Sequence, residues 1–275
     1  MYKRILTIQD ISAVGQCSLT VALPLISACG IECAILPGAL LSNHTGTGFS
    51  SWSILDLTDE MGRIESEWKK NGLRFDAFYT GYVCATQIDR ILSIFESSAA
   101  PGALRIVDPA MADNGKLYPG FADDFPKQMA RLCKNADYIL PNLTEAALLV
   151  GREPKLENYD RRFVEDLMRE LRDTTGAKNV LLTGVSFDVN LLGTALLEND
   201  SVTYDFNTKN ARMSHGTGDV FASVFTGALM RGKSAAQAAA IAADFVCSAI
   251  EATPEEHVYG VAFEKVIGKL ASALA

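Results

Sequence analysis

Short apolar runs alternate along the chain with polar, glycine-bearing turns and longer amphipathic stretches. Ile5 to Ile8 reads as a short buried strand and Gln9 to Gln16 as a polar turn. Ser18 to Ala28 reads as an amphipathic helix that Pro24 should kink, and Glu32 to Leu36 as a second strand. That order is the βαβ unit of a parallel sheet. Leu40 to Ser53, rich in Ser, Thr, Gly, Asn and His, reads as a functional loop. Beyond it the pattern predicts helices over 57–71 (Trp68 on the buried face), 85–97, 123–134, 144–150, 159–174, 221–230, 234–251 and 259–274. Strands are predicted over 77–81, 104–107, 137–140 and 179–183, with a hairpin at 191–197 and 201–205.

There is no internal repeat, low-complexity tract or linker, so residues 1–275 read as one domain. The expected architecture is a central, mostly parallel sheet with helices on both faces. Ligands of such sheets bind beyond the carboxyl ends of the strands. Asp10, Asp108, Asn142, Thr183 and the turn at 214–219 are then expected along one edge.

Composition narrows the function classes. The chain has 275 residues, 48% of them hydrophobic, and its 25 basic and 33 acidic residues give a net charge of −8. That argues against nucleic acid as a partner, which calls for clustered Lys and Arg. The six cysteines form no C-x-x-C pair and read as reduced thiols of a cytoplasmic protein, with Cys17 or Cys84 as the alternative of a reactive thiol. Three histidines are too few and too scattered for a His-based metal site. The N-terminus lacks the apolar core of a signal peptide. No apolar run is expected to reach the ~18–20 residues of a membrane span.

The chemistry concentrates at Ser214-His215-Gly216-Thr217-Gly218-Asp219-Val220, between the strand-like 201–207 and the apolar run 221–230. Glycines there let the backbone approach a ligand closely. Free N–H groups and the dipole make a helix start an anion site. Asp219 at such a place reads either as a first-turn helix charge or, if the anion is a transferring phosphoryl group, as the base for an attacking hydroxyl. The order strand, Gly-Thr-Gly-Asp, small-residue helix resembles the catalytic signature of the ribokinase-like superfamily of small-molecule kinases. In that family the Asp is the base and the glycine-rich backbone the anion hole.

Other segments extend the resemblance. Pro141-Asn142-Leu143-Thr144-Glu145 ends one predicted strand and opens a helix. Capping accounts for Thr144 and Glu145 but not for Asn142. The segment resembles the family's Asn-x-x-Glu motif, which helps to hold magnesium and phosphate. Asp108-Pro109 with Asp113 resembles a loop of vitamin B6 kinases and hydroxymethylpyrimidine kinases, whose first Asp lies near the ATP phosphates and whose second supports a cation. Ala110 and Ala112 stand where that family more often has Val and Gly. Ser42-Asn43-His44-Thr45-Gly46, the opening Ile5 to Gly15, and Thr80-Gly81-Tyr82 resemble pyridoxal kinases specifically. Asp10 stands where those enzymes usually carry a substrate-contacting Ser. Residues 47–52 do not match the family's flap and receive no role.

The resemblance implies a ribokinase-like three-layer α/β/α sandwich that transfers phosphate from ATP to the hydroxymethyl group of pyridoxal, pyridoxine or pyridoxamine. It further implies Asp219 as base and Gly216, Thr217 and Gly218 as the anion hole. Asp10, Thr45, Tyr82 and Asp219 would bind substrate. Asp108, Asn142, Glu145, Thr183, Gly216 and Gly218 would bind ATP, and Glu145 and Asp113 a magnesium ion. A monovalent cation such as K+ and a homodimer complete the expectation, with no nucleic acid or membrane partner. The alternatives are a hydroxymethylpyrimidine kinase and a non-catalytic vitamer-binding protein.

Overall fold

The structure is a computed structural model and describes residues 2–46, 48–210 and 215–275. The strands are β1 (Arg4–Ser12), β2 (Glu32–Leu41), β3 (Ile54–Asp56), β4 (Phe75–Thr80), β5 (Ala99–Val107), β6 (Ala112–Asp113), β7 (Lys116–Leu117), β8 (Tyr138–Ile139), β9 (Asn179–Val185), β10 (Leu191–Glu198) and β11 (Ser201–Thr208). The helices are α1 (Leu19–Ala28), α2 (Thr58–Lys70), α3 (Ile88–Ser98), α4 (Phe125–Cys133), α5 (Leu143–Leu149), α6 (Arg161–Thr175), α7 (Thr217–Met230), α8 (Ala235–Ala252) and α9 (Gly268–Ala273).

Nine strands form one sheet in the order β11-β10-β9-β8-β5-β4-β1-β2-β3. Pairing is parallel from β2 across to β9 and antiparallel at both margins. Strands β6 and β7 make a separate two-stranded hairpin. Both faces of the sheet are covered, as a parallel sheet requires. One layer buries apolar residues of α2 to α6, among them Met61, Phe95, Met129 and Leu167. The other buries α1, α7, α8 and the C-terminal segment through Leu25, Phe225, Ala242 and Leu270.

Three expectations are corrected here. Strand β1 continues through Gln9 and Asp10 to Ser12, where a turn was predicted. Polar residues occur there without a turn because they are buried and partnered inside the protein, Gln9 donating to Thr7 Oγ1 at 2.9 Å. The predicted helix over 259–274 is broken: Gly260 has φ 142°, a 3₁₀ turn covers Phe263–Lys265, and only Gly268–Ala273 is α-helical. Helix α8 has 18 residues at a mean hydropathy of 1.3, so by length and composition it is long and apolar enough to cross a membrane, contrary to the expectation. Its small-residue face (Ala238, Ala242, Ala249) is buried in the same layer as α7. Helix α1 contains Pro24 and continues to Ala28, and Trp68 is half-buried, edge-on to Phe75.

Candidate active site

The carboxyl ends of β1, β4, β5, β8 and β9, together with the start of α7, surround a cavity of ≈ 450 Å³. Asp10, Thr45, Tyr82, Asp108, Asp113, Asn142, Glu145, Thr183, Gly216, Gly218 and Asp219 all line it. The parallel topology carries each strand end to the same edge. Of the expected site residues only Thr217 stays off the lining, and Ser214 lies outside the described residues.

The turn before α7 has a steric reason for its first glycine. Gly216 has φ 75°, and a methyl group added to it would stand 2.1 Å from the carbonyl oxygen of Gln16. A methyl on Gly218 would meet nothing within 4 Å among the described residues, so the backbone of the first turn of α7 is open to the cavity there. Here a phosphate oxygen can reach the backbone. Val220 N–H donates to Gly216 O at 3.0 Å and closes the first turn. Asp219 follows, its carbonyl accepting from Ser223 Oγ at 2.5 Å. Burial pushes the Asp219 carboxyl up to about 7, against the backbone of Ser18, which hydrogen-bonds to it, and with the Asp10 charge adding to the rise. Ser18 takes φ 50°, a left-handed value uncommon outside glycine, where it caps α1.

Two further carboxyls stand on the same cavity wall. Asp108, at the end of β5, is raised well above the usual carboxylate range by burial and by its neighbours Glu145 and Asp219. Glu145 is pushed up to about 8 by burial, despite hydrogen bonds from the backbone of Asn142, Met111 and Ala112. The capping question at this helix start has a fuller answer than the sequence allowed. Asn142 is itself the N-cap of α5: its Oδ1 accepts from Glu145 N–H and its own N–H donates to Glu145 Oε2, both at 2.9 Å. Thr144 is not the cap; its Oγ1 accepts from Gly115 N–H at 3.0 Å. Glu145 Oε1 accepts from Met111 N–H at 3.0 Å and Asn142 Nδ2 donates to Ala112 O at 2.8 Å, so the capping pair also clamps the Asp108–Asp113 loop.

The donors here are hard oxygens, the type a magnesium ion prefers. Among the described residues no three His, Cys, Asp or Glu side chains form a cage. Such a donor set fits an ion that completes its shell with phosphate oxygens and water.

At the other end of the cavity Tyr82 lies against Phe121, ring centroids 5.1 Å apart. His44 and His215 line the same region with rings 6.1 Å apart, a meeting of two histidines that their separation in sequence concealed. Ser12, Ser18 and Tyr118 also line the cavity without having been assigned a role, as does Cys17, the alternative reactive thiol. Burial and the charges of Asp219 and Asp10 push the Cys17 thiol up to about 12, which works against its ionisation as a reactive thiolate. Burial raises Cys84 as well. A cue for Ser12 and Ser18 was present, since both flank the glycine of the same polar stretch as Asp10.

The phosphomethylpyrimidine kinase family model matches residues 56–262. The chain belongs to that family. A crystal structure of a putative phosphomethylpyrimidine kinase from Bacteroides thetaiotaomicron, described as a form with pyridoxal, is 35% identical. It covers 98% of this chain and 96% of its own, with a TM-score of 0.91. Pyridoxal kinase from Lactobacillus plantarum is 31% identical over 99% of this chain and 98% of its own, with a TM-score of 0.90. Among curated family relatives, the pyridoxal kinase of Dictyostelium discoideum is 26% identical over 243 residues, 82% of this chain and 74% of its own. The sheet and its two helical layers are thus the ribokinase-like α/β/α sandwich the motifs implied.

Proposed function

We propose that this chain is a pyridoxal kinase, transferring the γ-phosphoryl group of ATP to the hydroxymethyl oxygen of a vitamin B6 vitamer. The observation that carries the reading is the position of Asp219. A carboxyl raised to about 7 stands in the first turn of a glycine-started helix, on the wall of the ≈ 450 Å³ cavity. A base poised near neutral pH combines partial ionisation with real proton affinity. Asp219 takes the hydroxyl proton as the oxygen–phosphorus bond forms and the bond from the γ-phosphorus to the ADP oxygen breaks. The N–H groups of Gly216, Thr217 and Gly218 hold the charge on the moving phosphoryl oxygens. Asp108, Asn142 and Thr183 line the phosphate side of the cavity. Glu145 and Asp113 would hold magnesium, which when bound neutralises phosphate charge. Asp10, Thr45 and Tyr82 bind the vitamer.

The preference for vitamin B6 over hydroxymethylpyrimidine rests on the relative described with pyridoxal, on the pyridoxal kinases among the similar proteins, and on the Ser-Asn-His-Thr loop at the cavity. The whole chain serves as one kinase domain. Its six free cysteines support a cytoplasmic setting. Edge strand β3 exposes Ile54 and Leu55, with Leu40 and Trp52 beside them, which supports a homodimer. The deciding experiment is a coupled ADP-release assay with pyridoxal, pyridoxine, pyridoxamine and hydroxymethylpyrimidine, with magnesium and K+ each omitted in turn. Turnover of the pyrimidine alone would replace this reading by its family alternative. Vitamer binding without turnover of any substrate would leave a binding protein.

A further inference from the structure

Asp10 occupies an unusual electrostatic position. It is only 6% exposed, yet it lines the cavity. The register of β1 against β2 is interrupted at this residue: Gln9 faces Pro37, Ile11 faces Leu40, and two β2 residues stand opposite Asp10 alone. Such an irregularity re-aims a side chain at a strand end. The donors around its carboxyl are the hydroxyls of Ser12, at 3.2 Å, and Ser18. Among the described residues no Lys or Arg lines the cavity, and Asp10 is in no ion pair. His44, also on the wall, has its imidazole pushed below the usual value by burial and by His215. Its Nδ1 accepts from Gly46 N–H at 2.9 Å, so its proton sits on Nε2, which is buried and, among the described residues, without a partner. Burial raises the Asp10 carboxyl above its ordinary value, and among the described residues the wall sets no cation against it and no acceptor against His44 Nε2. A buried charge left in that state is costly unless something pairs with it. The aromatic ring of Tyr82 lines the same space, suited to a flat ligand.

We propose that Asp10 makes this cavity selective for a heteroaromatic substrate with a protonated ring nitrogen, its carboxylate supplying the counter-charge. The inference rests on the kinase reading and narrows it. A pyridine bearing a ring hydroxyl gains a proton on nitrogen readily, because the hydroxyl can release its own. The ring nitrogen then donates to Asp10 in a charge-assisted hydrogen bond, while a neutral ring of the same shape leaves the carboxylate unpaired.

The test pairs one protein change with one ligand change. The proteins are the parent, Asp10→Asn and Asp10→Ser. The ligands are pyridoxine, as kcat/KM, and its carbocyclic analogue with C–H in place of the ring nitrogen, as an inhibition constant. We expect both variants to lose roughly 10- to 100-fold on pyridoxine, the worth of one charge-assisted hydrogen bond. The analogue's constant and the KM for ATP should hold. Equal losses for both ligands would overturn the proposal, making Asp10 a residue that shapes the cavity. Unchanged pyridoxine values would overturn it as well. A parent that phosphorylates no vitamer is a different failure: it removes the kinase reading itself and is visible before any variant is made.

Discussion

Glu65 and Glu145 are both almost wholly buried, at 1% and 3% exposure, and both sit on helices of the same layer. Around Glu65 the chain supplies Lys69 at 2.7 Å, Arg90 at 2.9 Å and the hydroxyls of Ser93 and Ser97 at 2.7 and 3.2 Å. Burial pushes that carboxyl upward, and these partners overcome it and bring it down to about 2. Around Glu145 the chain supplies backbone N–H groups and more carboxyls, and the group rises to about 8. A carboxylate that ties α2 to α3 is matched by the protein's own cations. Glu145, in the first turn of α5 beside the strand ends, has no such cation among the described residues. Uncompensated charge thus marks the functional end of this molecule more sharply than burial does.

Four measurements bear on that contrast. The largest effect is expected at Asp219→Asn, which keeps the shape and loses proton acceptance. Turnover should fall roughly 10²–10⁴-fold while ATP affinity holds. Glu65→Gln, as the matched control, should leave turnover near the parent's. A near-normal Asp219→Asn enzyme would remove that residue as base.

Next comes Glu145→Gln, expected to raise the magnesium concentration for half-maximal rate by roughly 10- to 100-fold, as lost metal-site groups do. A lower melting temperature with unchanged magnesium dependence would leave Glu145 as a cap and loop clamp only. Third is stability against pH. Glu65 lies below its ordinary 4.5 in the folded state, so its stabilisation is present above that value and is lost as pH falls toward about 2. Glu145 lies above 4.5, so the folded state holds a proton the unfolded chain has released, and stability declines as pH rises from 4.5 through about 8. Melting curves should show Glu65→Gln flattening the acid limb, at a cost of about 1–3 kcal/mol after discounting its half-exposed partners. Glu145→Gln should flatten the other limb. Identical limbs in parent and variants would dissolve the contrast. The smallest effect concerns kcat/KM, which should rise with pH through about 7 as Asp219 ionises. Asp10→Asn removes a charge that raises Asp219 and should move that limb to lower pH by less than about one unit. An unmoved limb would mean that the two carboxyls do not sense each other.

Much of the fold was readable because buried strands of a parallel sheet are near-continuous apolar runs, and Ile5–Ile8 and Leu104–Val107 declare themselves. The site was readable because its residues sit where those runs stop. What escaped has physical causes. Gln9 and Asp10 look like a turn because sequence does not record that a polar side chain has found a buried partner. Strand β3 has no buried residue, so no alternation announces it. The segment 259–274 carries a helical pattern, but Gly260 and its close packing on Gln16 override it. The pairing of Asn142 with Glu145 was hidden because the same two residues satisfy both a helix start and a ligand motif.

That packing on Gln16 has a practical consequence. Gly216 and Gly260 close on the same residue: a methyl on the first would stand 2.1 Å from the Gln16 carbonyl oxygen, and one on the second 2.6 Å from its Cβ. Three distant segments of chain meet in a gap that admits no side chain from either glycine. In a saturation-mutagenesis screen both positions would score as intolerant, though of the two only Gly216 lines the cavity. Intolerance there reports crowding before it reports chemistry. A library aimed at new substrates should hold both glycines and Gln16 fixed as one unit, and spend its diversity on Asp10, Thr45 and Tyr82.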